Sequence, residues 1–114
     1  MGVPRTVQIG PLQWRISTSL ADYSALMELE SDTNAVGFTH LKSLTISIKP
    51  DLPPSLERET VLHELIHAII ATQGGVFATT KDDEMEEAAV SAITPLLLTT
   101  LRGNPKVSQY LLET

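Results

Sequence analysis

The residues of this chain with the clearest chemical potential are His63-Glu64-Leu65-Ile66-His67, which fit the pattern H-E-x-x-H. On a helix at about 100° per residue, with His63 as the origin, His67 falls at about 40° and Glu64 at about 100°. All three then point into one arc. Two imidazoles one turn apart can share a tetrahedral metal, and the carboxylate beside them reaches a water at that metal rather than the metal itself. Zinc is the default ion for a nitrogen and carboxylate set. The bland alternative is a helix with two histidines at the edge of its apolar face.

A third ligand is sought on the next helix. Taking Glu86 as the origin there, Val90 falls at about 40°, Ile93 at about −20°, Ala89 at about −60° and Leu97 at about 20°. Glu86 would thus lie in an apolar stripe, where a carboxylate costs several kcal/mol unless it is paired or bound to metal. Glu87, at about 100° beside Ser91 and Thr94, lies on the polar margin and stays open as the alternative by one helical step. Asp82, Asp83 and Glu84 read as first-turn dipole charges and solvated surface. Eighteen residues separate His67 from Glu86. That is room for a helix end, a turn at Gly74-Gly75, a loop and a new helix.

The segment Glu59-Thr60-Val61-Leu62-His63-Glu64-Leu65-Ile66-His67-Ala68, then Glu86-Glu87-Ala88-Ala89-Val90 and Leu101-Arg102-Gly103-Asn104-Pro105, resembles small phage and mobile-element metallopeptidase-like proteins. These are minimal gluzincins related to the ImmA/IrrE type. The resemblance spans about 36–104 and is most specific at the H-E-x-x-H motif. It implies a small sheet followed by a motif helix and a ligand helix, with His63, His67 and Glu86 holding Zn2+ and Glu64 as general base. The ImmA/IrrE pattern usually has Ala-Asn three and four residues after its ligand Glu; here Ala89 matches and Val90 stands in place of Asn. The implied activity is hydrolysis of peptide bonds in a peptide or protein substrate, by a zinc-activated water that gives its proton to Glu64. A rival reading keeps the zinc as a clasp between two helices of a non-catalytic binding or regulatory protein of phage or prophage origin. There His40, Glu87 or Asp83 would close the fourth position, since structural sites fill all four. An apo helical protein with incidental histidines would take up no stoichiometric metal.

Other residues have mainly structural readings. His40, after Gly37-Phe38-Thr39, is a candidate fourth polar group in the cleft, although such a histidine is more often surface or hydrogen-bonded structure. Tyr23 and Tyr110 are candidates for stabilising an oxyanion, but nothing in their spacing brings either near His63, and packing is the simpler role. Trp14 is expected to cover the sheet.

The elements that must position the motif follow from periodicity. Val7 and Ile9, then Leu12, Trp14 and Ile16, alternate around Gly10-Pro11, and a short helix is expected over 19–30. A strand is expected over 36–40. Leu44, Ile46 and Ile48 alternate with Ser43, Thr45, Ser47 and Lys49, which predicts one buried and one wet face. Together these predict a small antiparallel sheet, with 45–49 as an edge strand able to take an added peptide strand. After Pro50 and Pro53-Pro54 the period becomes helical. The motif helix is expected over 55–72 and the ligand helix over 80–92, with Pro95 kinking or restarting it and a last helix from Pro105 to Leu112. The fold class is α+β.

Composition bounds the rest. The 114 residues suit one domain, and 42% apolar with 19% charged residues lies near the globular average. Eight basic residues against 14 acidic ones, a net charge of −6, argue against a nucleic-acid partner. Five acids within 82–87 make basic peptides the mild preference. The absence of cysteine excludes disulfides, thiolate catalysis and Cys-type metal sites. The longest uncharged stretch, 88–101, is too short to span a bilayer, and the first ten residues lack the apolar core of a secretory signal. A cytoplasmic protein with no membrane partner is expected. The oligomeric state is left open.

Overall fold

A computed structural model describes residues 2–73 and 82–113, and of residues 82–87 it describes the backbone alone. Four strands and four helices form an α+β fold in the order β1 (Thr6–Ile9), β2 (Leu12–Ser17), α1 (Leu20–Glu30), β3 (Gly37–His40), β4 (Thr45–Ile48), α2 (Pro54–Gln73), α3 (Asp82–Gly103) and α4 (Pro105–Leu111). Gly10, at φ 53°, opens the two-residue turn that pairs Ile9 with Leu12. This left-handed conformation is one that glycine adopts without a Cβ penalty. Ser19 caps α1 by accepting from the Asp22 amide, and the helix ends at Ser31 in the left-handed region.

The sheet order is β1-β2-β4-β3. β1 pairs antiparallel with β2 and β3 antiparallel with β4, but β4 runs parallel to β2, with Ile16 opposite Ile46 and Ser17 opposite Ser47. The sheet is therefore mixed, not antiparallel as expected. The path from β2 through α1 and β3 returns the chain in the same direction, so β4 slots between β2 and β3. This also removes β4 from the edge. The edge strands among the described residues are β1 and β3, and the expected peptide-binding edge at 45–49 is an interior strand.

Nor does β4 have a wet face. Thr45 and Ser47 are as buried as Ile46 and Ile48. Helix α1 covers that side, with the Tyr23 ring 5.6 Å from Phe38 and the Tyr23 hydroxyl donating to the Ala35 carbonyl at 2.6 Å. The alternation reports side-chain polarity, and short hydroxyl residues can be covered as well as exposed.

The main core lies on the other face. Val7, Ile9, Trp14, Ile16, Ile46 and Ile48 from the sheet meet Val61, Leu65, Ala68 and Ile69 of α2 and Val107 and Tyr110 of α4. Each fully buried aliphatic side chain here contributes about 1.5–3 kcal/mol. Trp14 covers the sheet as expected, and its indole N–H donates to Thr72 Oγ1 at 3.0 Å, tying the end of α2 to β2. Pro54 starts α2, where a missing N–H costs nothing. Helix α3 runs through Pro95 without a break. Its inner face is Ala89, Ala92, Ile93, Leu96, Leu97 and Thr100. Gln73 Nε2 donates to the Ala92 carbonyl at 2.7 Å and so holds α3 to the end of α2. Val90, expected in the inward stripe, is 54% exposed. Among the described residues no helix is long and apolar enough to cross a membrane.

Candidate functional site

Helix α2 presents the H-E-x-x-H motif with its three polar side chains divided between solvent and strand β3. Val61, Leu65, Ala68 and Ile69 face the core, which turns His63 and His67 to the surface and leaves Glu64 buried at the boundary. The motif lines a cleft of about 810 Å³ bounded by α2, β3 and the segment 30–36. The expected convergence of His63, Glu64 and His67 is therefore present in three dimensions.

The two imidazoles meet through their Nε2 atoms at 3.2 Å, with ring planes 65° apart. Two nitrogens each about 2.0–2.1 Å from one tetrahedral zinc would stand about 3.3–3.4 Å apart, so the pair fits a shared ion with almost no adjustment. The same separation allows an N–H···N hydrogen bond between neutral rings, which satisfies the pair in the metal-free protein. Glu64 Oε2 lies 3.8 Å from His63 Nε2. Its other oxygen, Oε1, accepts from Thr39 Oγ1 at 2.8 Å, and the same hydroxyl lies 3.1 Å from the Glu64 carbonyl oxygen. Glu64 is 7% exposed. Glu64 is thus a buried carboxylate with one hydroxyl as its hydrogen-bond donor among the described residues.

Strand β3 supplies the opposite wall. Alternation places Gly37 and Thr39 toward α2 and Phe38 and His40 toward α1. A Cβ at Gly37 would stand 3.0 Å from Glu64 Cγ, 3.2 Å from Glu64 Oε2 and 2.9 Å from Thr60 Cγ2. Glycine is what lets the strand approach the glutamate. Neither Gly37 nor Thr39 stood out as functional in the sequence. A glycine inside a strand is the one available signal, since it marks close approach of another group.

The remaining candidates separate clearly. His40 is not among the cleft-lining residues and engages Ser43 Oγ through Nδ1 at 2.8 Å. Tyr23 is held by Ala35 on the α1 side. Tyr110 donates to Glu57 Oε1 at 2.7 Å at the start of α2, and burial with this bond pushes its phenol above the ordinary value. Neither tyrosine lines the cleft. The side chains of Asp83, Glu86 and Glu87, the expected helix start at Thr80 and the Gly74-Gly75 turn lie outside the described residues. Among those described, no third His, Cys, Asp or Glu joins the imidazole pair. The charged side chains along the cleft wall are Glu30, Asp32, Glu59 and Glu64, all acidic. Compared with known proteins, the chain matches no family model, no curated protein and no solved structure.

Proposed function

We propose that the chain is a zinc-dependent peptidase of minimal gluzincin type. The observation that carries this reading is the convergence of His63 and His67 Nε2 at 3.2 Å in a cleft wall, with the buried Glu64 carboxylate beside them. His63 and His67, with Glu86 from α3, would hold the ion. Bound there, zinc would polarise a peptide carbonyl and make water nucleophilic near neutral pH. Glu64 takes the proton of the attacking water on Oε2 and returns it to the leaving nitrogen as the peptide bond breaks. Burial of Glu64 keeps bulk water from competing for that oxygen.

The free edge beside the motif is β3, so an extended peptide adds there, main chain to main chain, with its scissile bond carried across α2. The acidic cleft wall at Glu30, Asp32 and Glu59 favours peptides with basic side chains near that bond. Metal analysis of purified protein beside Glu86→Ala, followed by a peptide-library digest with wild type and Glu64→Gln, tests the reading. It expects one zinc per chain, reduced by Glu86→Ala, and cleavage by the wild type alone. Equal cleavage by Glu64→Gln, or no zinc in the wild type, would overturn it.

A further inference from the structure

We propose that Thr39 is the positioning residue for Glu64, turning its carboxylate so that Oε2 is the oxygen presented to the imidazole pair. The role rests on Glu64 acting as the base. The torsion that rotates a glutamate carboxylate has a broad, nearly two-fold profile, so its own rotamer preferences do not fix the plane of the carboxylate. Two features of β3 fix it. Thr39 Oγ1 has one proton and two acceptors on Glu64, and the shorter contact, 2.8 Å against 3.1 Å, goes to Oε1. A carboxylate is also the stronger acceptor. Oε1 is thereby held by Thr39, and Oε2 lies against Gly37 of the same strand, 3.8 Å from His63 Nε2.

Gly37 leaves room for this orientation, because a Cβ there would press on Cγ and Oε2 of Glu64 and on the Thr60 methyl. Thr60 does not compete for the carboxylate. Its hydroxyl donates to the Leu56 carbonyl at 2.7 Å within the helix. Strand β3 thus serves the motif twice, with a hydroxyl that holds one carboxylate oxygen and a glycine that makes space for the other. A base must lie within about 2.6–3.2 Å of the proton it takes, and a displacement of about 1 Å can cost a hundredfold in rate. Thr39 touches neither the metal ligands nor the reacting atoms; it acts through Glu64.

The test compares Thr39→Val with Thr39→Ser, measuring kcat, KM and zinc affinity on a peptide that the wild type cleaves, and solving both variants as metal-free crystals. Valine keeps the β-branched shape that suits a strand but has no proton to donate, whereas serine keeps the hydroxyl. Thr39→Val is expected to lower kcat about ten- to a hundredfold while KM and zinc affinity stay within about twofold. Thr39→Ser is expected to stay within about threefold of the wild type. In the metal-free crystals the Glu64 carboxylate turns from its wild-type orientation in the valine variant and keeps it in the serine variant. Wild-type kcat in Thr39→Val, equal loss in both variants, or an unmoved carboxylate in the Thr39→Val crystal would overturn the proposal. If the valine variant does not fold, Thr39→Ala takes its place against Thr39→Ser. If the wild type cleaves no peptide, the hydrolytic reading fails, and the metal-free crystals still decide whether Thr39 sets the carboxylate.

Discussion

Two of the three carboxylates on helix α2, Glu57 and Glu64, seven residues apart, each accept a hydrogen bond from a hydroxyl on another element. Tyr110 of α4 donates to Glu57 at 2.7 Å, and Thr39 of β3 donates to Glu64 at 2.8 Å. The surroundings of the two pairs differ. Glu57 lies in the first turn, where the helix dipole favours a negative charge, and the Arg58 guanidinium sits 5.8 Å over the Tyr110 ring. Arg58 also reaches Glu113 at 3.4 Å, so this end of α2 is a latch for the C-terminal helix. Glu64 is mid-helix, more deeply buried, and its second oxygen lies 3.8 Å from His63 Nε2 on the same helix, at the wall of the cleft. A carboxylate bonded to a hydroxyl of another element ties α2 to its neighbour in both places, but only Glu64 also lines a cleft beside two imidazoles.

The largest expected effect separates these roles. Glu64→Gln keeps the acceptor for Thr39 and should lower peptide hydrolysis about 10²- to 10⁴-fold with bound zinc unchanged. Stability should be unchanged or slightly higher, since a buried charge is removed. Glu57→Gln should leave kcat within about twofold and cost about 1 kcal/mol in denaturant unfolding. A reversed pattern, with Glu57→Gln slowing turnover and Glu64→Gln unfolding the protein, would break the contrast.

Metal removal comes next. At free zinc a hundredfold above its dissociation constant, binding adds about 2.7 kcal/mol, so EDTA should lower the melting temperature by roughly 10 °C. Because the latch shares no group with the imidazole pair, that loss should add to the loss caused by Tyr110→Phe. An unchanged melt in EDTA would count against zinc, and strong non-additivity would show that the two ends of α2 are coupled.

Tyr110→Phe should itself cost about 1 kcal/mol near neutral pH. Its phenol is raised by burial and by the Glu57 bond, so its contribution is complete below the ordinary value of 10.0 and falls as pH rises toward the higher folded value. Unfolding measured from pH 9 to 11 should show a steeper decline in the wild type than in the phenylalanine variant. The smallest effect lies far from α2. Ser17 and Arg15 hydrogen bonds lower the Asp22 carboxyl from 3.8 to about 2. Its contribution is present above pH 3.8 and is lost as pH falls toward 2, so Asp22→Asn should flatten stability between those values. An identical acid profile in that variant would remove Asp22 from the account.

Much of the local structure was legible. Pro53-Pro54 marked the start of the motif helix, expected over 55–72 and found as Pro54–Gln73, and Gly10-Pro11 marked the first hairpin. The spacing of His63, Glu64 and His67 correctly anticipated their shared arc. Strand order was not legible, because alternation in Leu44, Ile46 and Ile48 describes one strand and contains nothing about its neighbours. Burial of Ser47 depends on α1 crossing the far face, a tertiary event. Val90 failed for the opposite reason: hydrophobicity suggested an inward position, but the inward face of α3 centres on Ala89, Ile93, Leu96 and Thr100, about 90° around the helix from Val90. Thr39 escaped notice because its partner lies 25 residues away and no spacing rule joins a strand hydroxyl to a helix carboxylate.

The β3–β4 hairpin and helix α2 follow one another directly in the chain, so Gly37, Thr39, His63, Glu64 and His67 all fall within one contiguous stretch. Short sequence separations close with little loop entropy, and contacts of this kind form early in folding. The return of α4 onto α2, where Tyr110 meets Glu57 across 53 residues, joins more distant parts of the chain and closes later. The cleft wall is therefore expected to assemble as a local unit before the termini lock around it. Substitutions at Thr39 or Gly37 would then slow folding as well as change the native state, whereas breaking the Tyr110 latch would mainly speed unfolding.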